Sequence, residues 1–135
     1  MPLIRIDVTI GRSPQEIRAI ADAVHVAVVE GYGVPVRDRF QIVTEHPAGQ
    51  IIAEDAGLGF DRTDLVVMIQ IFTQRGRSTE AKSDLYARIH DALAVVGVQS
   101  EDVFIGYVEN GPEDWSFGFG RAQYTTGELG VPALH

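Results

Sequence analysis

Residues 2–17, PLIRIDVTIGRSPQEI, contain the pattern that decides the fold. They begin with an alternation of apolar and polar side chains, which is typical of a half-buried strand. A serine and a proline then provide the N-cap and first position of a helix, and a glutamate three residues after the serine completes a capping box. The pattern predicts a strand over 3–10 and a helix over 14–31 that ends at Gly31 and Gly33.

The remaining sequence repeats this order of elements. A second strand is predicted over 40–45. The nearly continuous apolar run at 65–72 predicts a third strand covered on both faces and therefore central in a sheet. Ser78 is a suitable N-cap for a helix over 79–96, and a fourth strand is predicted over 103–108.

An internal repeat supports two equivalent halves. A shift of 64 positions superposes identical residues, namely Glu16, Gly33, Val34, Asp38, Phe40 and Glu45 on Glu80, Gly97, Val98, Asp102, Phe104 and Glu109. Two tandem β-α-β units then form a four-stranded sheet with both helices on one face, an α/β fold of the α+β sandwich kind. The other sheet face stays bare, so association of copies through it is expected.

The length of 135 residues predicts a single domain over 1–135. The first β-α-β unit spans 2–45 and the second 65–109. Between them, 46–64 is expected to be an ordered loop with a short hairpin. A C-terminal tail, 110–135, completes the chain.

Aromatic residues interleaved with glycines mark the tail: Trp115, Phe117, Phe119 and Tyr124. Aromatics at alternate positions predict a strand-like segment that lies on another surface, such as a neighbouring subunit. The alternative is a small local core formed by the tail itself.

Composition excludes several classes of function. Eleven Lys and Arg against 19 Asp and Glu give a net charge of -8, which opposes nucleic-acid binding. No apolar run reaches the length of about 18 residues that a membrane span needs. The chain has no cysteine, which removes disulfides and thiolate chemistry. We expect a cytoplasmic protein without a nucleic-acid or membrane partner.

Metal and nucleotide sites are not predicted. His25, His46, His90 and His135 lack the spacing of metal ligands, and His25 and His90 are expected at the surface or its boundary. The short Gly-x-Gly runs lack the strand-to-helix context of a dinucleotide site. No cofactor is therefore expected.

The chemistry that remains lies in Pro2 and two arginines. If Met1 is removed, Pro2 becomes a secondary amine, and an α-amino group has a pKa of roughly 7.7 to 8.0. Such an amine acts as an acid, a base or a nucleophile toward an aldehyde. Arg75 and Arg77, at a strand end just before a helix, suit a carboxylate. The alternatives are a retained Met1, which leaves Pro2 an amide nitrogen, and arginines that are solvated surface charges.

Motifs along most of the chain resemble those of the tautomerase superfamily. Within it they are most similar to the malonate semialdehyde decarboxylases. The stretches that show the resemblance are 2–3, 33–44, 54–59, 75–78 and 108–118.

This resemblance implies a homotrimer that decarboxylates a 3-oxo acid such as malonate semialdehyde to acetaldehyde and carbon dioxide, without a cofactor. The implied catalytic residues are Pro2 and Asp38. A small carboxylate substrate would be bound by Arg75, Arg77, Trp115 and Phe117.

Other activities stay open at this point. The run Gln74–Ser78 also resembles the arginine-containing run of cis-3-chloroacrylic acid dehalogenases, so a tautomerase, or a hydratase or dehalogenase of three-carbon unsaturated acids, is an alternative. Asp38 and its repeat equivalent Asp102 could both merely cap the starts of strands. A non-catalytic trimeric binding protein is the remaining hypothesis.

Overall fold

A computed structural model describes residues 2–131. Its elements include the predicted four strands and two helices in the predicted order, and also a short third helix and two 3-10 turns that were not predicted. They are β1 (Leu3–Thr9), α1 (Pro14–Tyr32), β2 (Phe40–His46), β3 (Val67–Gln74), α2 (Thr79–Val95), β4 (Val103–Asn110) and the short α3 (Gln123–Thr126), with single 3-10 turns at Ser100–Asp102 and Pro112–Asp114. None of the helices in this part of the chain is long and apolar enough to cross a bilayer.

The strands form one mixed sheet in the order β2-β1-β3-β4. Each β-α-β unit contributes a parallel pair, and the two units join through the antiparallel pair β1 and β3. The tandem β-α-β architecture and the central position of β3 are therefore confirmed. Leu3 lies between Phe40 and Phe72 in register, which places the start of β1 in the middle of one sheet end.

Both helices cover the same face of this sheet. Alternate strand residues and one stripe of each helix are buried together: Ile4, Ile6, Val8, Val67, Ile69 and Ile71 from the central strands, Ile20, Val24 and Val28 from α1, and Leu85, Ile89 and Leu93 from α2. Burial of one such aliphatic side chain contributes about 1.5 to 3 kcal/mol. This core fixes the positions of the strand ends, where the candidate site lies.

The third strand differs from its prediction in two respects. It begins at Val67 rather than at position 65, because Arg12 holds the preceding backbone by donating from Nη2 to the Leu65 carbonyl at 2.7 Å. Its second face is not covered in the single chain, since Gln70 is exposed there and Phe72 is half-buried. Alternation of buried and exposed residues is therefore retained even in this central strand.

The connection between the two units contains no hairpin, so that prediction is wrong. Residues 47–66 form turns whose backbone groups bond to side chains instead of to a second strand. Asp55 accepts from the backbone N–H of Gly59 at 2.6 Å, and buried Asp102 accepts from the N–H of Thr63 at 2.8 Å. These bonds order the loop without a ladder.

Candidate functional site

Pro2 lies at the end of the sheet where β1 begins. It is buried and directly precedes Leu3. Because Leu3 pairs with both neighbouring strands, one further step in register puts Pro2 beside Arg39 on one side and Thr73 on the other. Alternation along β1 directs residue 2 to the same side as Ile4, toward the helices.

Arg77 is the buried cation next to this end of the sheet. Arg77 comes three residues after the end of β3, and it is only 5% exposed. The guanidinium carbon lies 3.9 Å from the centre of the Tyr32 ring, and Nη1 donates to Thr73 Oγ1 at 3.5 Å. Within residues 2–131, Nε and Nη2 are buried and have no acceptor. The hypothesis of a solvated surface charge is therefore wrong for Arg77.

Arg75 has a different environment, although it is only two residues away. Its side chain is 63% exposed and lies 4.0 Å from Glu113 Oε1. Its backbone N–H donates to the Asn110 carbonyl at 2.7 Å, which continues the pairing of β3 with β4. The structure thus separates the two arginines, and Arg75 fits the surface-charge alternative.

Asp38 lies in the turn that leads into β2. Its backbone N–H donates to the Pro35 carbonyl at 2.9 Å, and its side chain is half-buried. Burial raises the pKa of the Asp38 carboxyl, and the nearby His25 opposes this shift. Buried Tyr124 lies near Asp38. Burial, and secondarily the negative charge of Asp38, raises the pKa of Tyr124 to about 12.

The repeat partner of Asp38 has a structural role that Asp38 does not share. Asp102 is 1% exposed, and it accepts hydrogen bonds from both the backbone N–H and the hydroxyl of Thr63. It therefore fastens the connecting loop to the start of β4. The two aspartates differ in their surroundings, although the internal repeat aligns them.

An aromatic cluster formed by Phe40, Trp115, Phe117 and Tyr124 borders the same end of the sheet. Phe117 is at its centre, with ring centroids 5.6 Å from Phe40, 6.1 Å from Trp115 and 5.2 Å from Tyr124. Trp115 stacks on Phe117 and donates from its indole nitrogen to Asn110 Oδ1 at 2.9 Å. Phe40 begins β2 and pairs in register with Leu3, so the cluster lies at the sheet end where β1 begins.

The tail does not pair as a strand within the described part of its own chain, and its packing on a neighbouring subunit stays a prediction. Residues 115–119 have no ladder partner in the described chain, because Gln123 takes up their backbone groups: its Oε1 accepts from Phe117 N–H and its Nε2 donates to the Gly118 carbonyl, both at 2.9 Å. The alternative of a small local core agrees with the cluster around Phe117. Phe119 is outside it and is 92% exposed.

The predicted site residues converge on one end of the sheet, with Arg75 at its exposed margin. The sequence analysis missed Tyr32, which contacts Arg77, and Asn110, which joins the backbone of Arg75 to the Trp115 ring. The sequence indicated Tyr32 only weakly, by its position directly before Gly33, the glycine that ends α1. No spacing in the sequence connects it with Arg77.

The histidines do not form a metal site within the described residues. Among residues 2–131, no group of three or more His, Asp or Glu side chains is placed to hold a metal ion. His25 is buried rather than at the surface or boundary, because its Nε2 bonds to the Val36 carbonyl at 2.8 Å and ties α1 to the turn before Asp38. That prediction was wrong. His135 lies outside the described residues.

Comparison with known families and curated proteins gives consistent similarities. Residues 38–118 match a family model described as tautomerase enzyme, and residues 2–61 match a second model with the same description. The probable tautomerase YrdN of Bacillus subtilis (strain 168) is 42% identical over 130 residues, which cover 96% of this chain and 100% of that protein. The similarity thus extends over nearly all of both chains.

Solved structures show the same similarity in three dimensions. FG41 malonate semialdehyde decarboxylase inhibited by 3-bromopropiolate has a TM-score of 0.94 and 59% identity, covering 96% of this chain and 99% of its own. A second malonate semialdehyde decarboxylase, with decarboxylase and hydratase activities, has a TM-score of 0.89 and 39% identity, covering 94% and 98%. A fused 4-OT symmetric trimer shares the fold, with a TM-score of 0.76 at 21% identity and coverage of 93% and 98%.

Proposed function

Because this chain belongs to the tautomerase family, we propose that it is a cofactor-independent decarboxylase of 3-oxo acids such as malonate semialdehyde, which it converts to acetaldehyde and carbon dioxide. The main supporting observation is the buried guanidinium of Arg77, whose Nε and Nη2 lack an acceptor within residues 2–131, near the start of β1. Similarity to two malonate semialdehyde decarboxylases supports the same substrate class.

Substrate binding begins with the carboxylate. Arg77 offers two N–H donors to it, and charge-assisted bonds of this kind are stronger than neutral ones. Tight binding of the carboxylate by itself stabilises the ground state, which opposes its departure as carbon dioxide. The aromatic cluster with Trp115 and Phe117 counters this effect, since apolar walls exclude water from the carboxylate and favour the uncharged product.

Pro2 then supplies the electron sink, provided that Met1 has been removed. Its secondary amine adds to the aldehyde and loses water to give an iminium ion. The electron pair of the breaking C–C bond moves into this iminium, which releases carbon dioxide and leaves an enamine. Protonation at carbon and hydrolysis return acetaldehyde and the free amine. In the other form of the mechanism, protonated Pro2 donates to the carbonyl oxygen and stabilises an enol.

Asp38 is proposed to orient the Pro2 amine or to activate water. A carboxyl whose pKa is raised by burial is a better base than an ordinary aspartate. It lies one residue before Arg39, which the register places next to Pro2. Arg75, at the exposed margin, is proposed to guide the anionic substrate inward rather than to hold it.

The reactive amine can be identified by chemical trapping. Incubation with malonate semialdehyde and borohydride should fix one label per chain on residue 2, located by peptide mass spectrometry. Lys82 is the internal control, because it is the only lysine and its ammonium is held by Glu109 at 3.2 Å. Labelling of Lys82 alone would contradict an iminium at Pro2. Decarboxylation without any label would leave the protonated-amine form.

Asp38→Asn should lower kcat/KM by up to about 100-fold. Without the carboxylate, the Pro2 amine is no longer held in its orientation, and a misplaced catalytic group can cost about that much. In the parent, activity that needs the carboxylate should fall as pH drops through a value above the ordinary 3.8 of aspartate, and the variant should lack this acid limb. The measurement is the pH profile of kcat/KM.

The stability of the Asp38→Asn variant should not fall with its activity. Because folding raises the pKa of Asp38, its ionised form weakens the native state as pH rises above the unfolded value, so Asp38→Asn should melt no lower than the parent at pH 7.5. Asp102→Asn is the matched control: it replaces one of the two carboxylate oxygens that accept from Thr63, so it should melt lower and keep the acid limb. A lower melting temperature for Asp38→Asn with an unchanged pH profile would assign Asp38 a structural role.

We also propose a homotrimer formed through the bare sheet face. Its apolar side chains Phe40, Ile42, Phe104 and Val108 are each at least 40% exposed in the single chain. The fused 4-OT with this fold is a symmetric trimer. Sedimentation equilibrium at micromolar concentration should give a trimer, and a monomer would contradict it. Ile42→Asp should dissociate the trimer. The control is Val95→Asp, which should not, because Val95 lies at the end of α2, away from this face, and is 86% exposed.

Hydration of a three-carbon unsaturated acid is the second candidate activity. One similar decarboxylase also has hydratase activity, and a half-buried carboxyl such as Asp38 is suited to activate water. Conversion of propynoate to malonate semialdehyde, followed by its decarboxylation, would show both activities. Release of halide from a 3-chloroacrylic acid would favour the dehalogenase alternative.

A further inference from the structure

We infer that Tyr32 is a positioning residue for Arg77: its ring holds the guanidinium by one face and leaves one edge open to a substrate carboxylate. This inference rests on the proposed carboxylate-binding function of Arg77. Tyr32 is the last residue of α1 and is 3% exposed, and its ring centre lies 3.9 Å from the guanidinium carbon of Arg77.

A stack on an aromatic ring orients an arginine without using its donors. All five guanidinium N–H groups lie in the plane of the group, so a ring against its face leaves them available. The nitrogens Nε and Nη2, which share one edge, are the two that have no acceptor within residues 2–131, and Nη1 reaches Thr73 Oγ1 only at 3.5 Å. That open edge has the geometry for a bidentate carboxylate.

An ion pair would position Arg77 less usefully. A protein carboxylate on this edge would neutralise the cation and occupy the donors that a substrate needs. No aspartate or glutamate within residues 2–131 pairs with Arg77, in contrast to Arg39, which binds Asp22 Oδ1 at 2.7 Å. The Tyr32 ring is therefore the main fixed contact of the Arg77 cation in the described chain.

The plane of the Tyr32 ring is itself fixed by β4. Its hydroxyl donates to Tyr107 Oη at 3.1 Å, and the Tyr107 ring packs edge-on against Tyr86 with centroids 6.5 Å apart. Burial, and secondarily the bond to Tyr107, raises the pKa of Tyr32, so its hydroxyl keeps its proton and stays a donor. Tyr32 thus connects the end of α1 to the sheet beneath Arg77.

Kinetics of Tyr32 variants test this inference. Tyr32→Leu should raise KM for malonate semialdehyde about 5- to 30-fold with little change in kcat, since loss of a buried cation–π contact weakens carboxylate binding. Tyr32→Phe keeps the ring and loses only one hydroxyl hydrogen bond, so it should retain the parent KM within about threefold. Phe60→Leu is the matched control, because it removes a cation–π contact of another arginine, Arg62, whose guanidinium carbon lies 4.9 Å from the centre of the Phe60 ring in the connecting loop, and its KM should equal that of the parent. A merely structural role would lower the active fraction, and so kcat, without changing KM.

Binding of a non-reacting ligand separates this inference from the decarboxylase proposal. In the parent, propanoate should raise the melting temperature more than propanamide does, and Tyr32→Leu should lose this difference. If the parent prefers propanoate and Tyr32→Leu does not, but the parent does not decarboxylate, the proposed reaction fails and the role of Tyr32 stands. A KM and propanoate preference in Tyr32→Leu equal to the parent's would overturn the inference alone. No propanoate preference in the parent would overturn it together with carboxylate binding by Arg77. If Tyr32→Leu does not fold, Tyr32→Met, with a flexible side chain that fills the space, gives the same readouts.

Discussion

Arg77→Ala should lower kcat/KM for malonate semialdehyde by about 10- to 1000-fold, measured by the rate of acetaldehyde formation. The variant loses one or two charge-assisted hydrogen bonds to the substrate carboxylate, each worth roughly 1.5 to 3 kcal/mol. Arg77 is suited to this role because it is 5% exposed and its Nε–Nη2 edge has no acceptor within residues 2–131. The loss should appear mainly as weaker binding of the anion.

The melting temperature of Arg77→Ala should change little, because two effects oppose each other. The variant loses the stack on Tyr32, worth about 0.5 to 2 kcal/mol, and it also loses a buried cation whose desolvation is unfavourable. Arg75→Ala is the matched control and should retain activity within about threefold at physiological ionic strength, since screened surface charges contribute little. Equal loss in both variants would mean that the exposed arginine also holds the substrate. Dissociation of the Arg77→Ala oligomer would assign Arg77 a structural role.

Local signals in the sequence were sufficient to predict the fold. The capping box at the start of α1 is present in both directions, with Ser13 N–H donating to Glu16 Oε1 and Glu16 N–H to Ser13 Oγ, each at 3.1 Å. Alternation along β1 agrees with its burial pattern, and the repeat correctly predicts a second unit of the same order. The capping box and the alternation each depend on residues close together in the chain, whereas the repeat compares positions 64 residues apart.

The hairpin predicted in the connecting loop and the strand predicted in the tail are absent from the described residues of the single chain because side-chain contacts order both segments. Thr63 bonds to Asp102, which is 39 residues away, and Gln123 satisfies the backbone around Phe117. Side-chain bonds of this kind replace a strand ladder and leave no periodicity to recognise. Both predictions assumed strand pairing, and the sequence could not say which side chains would replace it.

The same limit applies to the site. The sequence pointed to both arginines at this end of the sheet, yet it could not predict that Arg75 is exposed and Arg77 buried, since they lie two positions apart and have the same chemistry. Arg77 is buried because the end of α1 brings Tyr32 over the chain that follows β3, and Arg75 extends toward Glu113 at the surface. Exposure therefore separates the two proposed roles, and exposure is a property of the fold.

Retention of Met1 should abolish decarboxylation, with a loss of about 100- to 10,000-fold, the usual contribution of a positioned acid or base. In a chain that keeps Met1, the Pro2 nitrogen belongs to a tertiary amide, so it has neither a proton to donate nor a lone pair to add to an aldehyde. Protein made while methionine aminopeptidase is inhibited provides this form without any substitution. Intact mass distinguishes it from the trimmed chain.

Trimming the same sample with aminopeptidase is the matched control, because sequence and preparation stay identical and only the first residue leaves. Activity should return in proportion to the trimmed fraction, and the melting temperature should change much less than the rate. Pro2→Ala, which gives a primary amine after Met1 is removed, should lose only part of the activity, since a primary amine also forms an iminium but lacks the ring that fixes its direction. Equal rates before and after trimming would show that Pro2 takes no part in the reaction. The mechanism would then have to rely on Asp38 and Arg77.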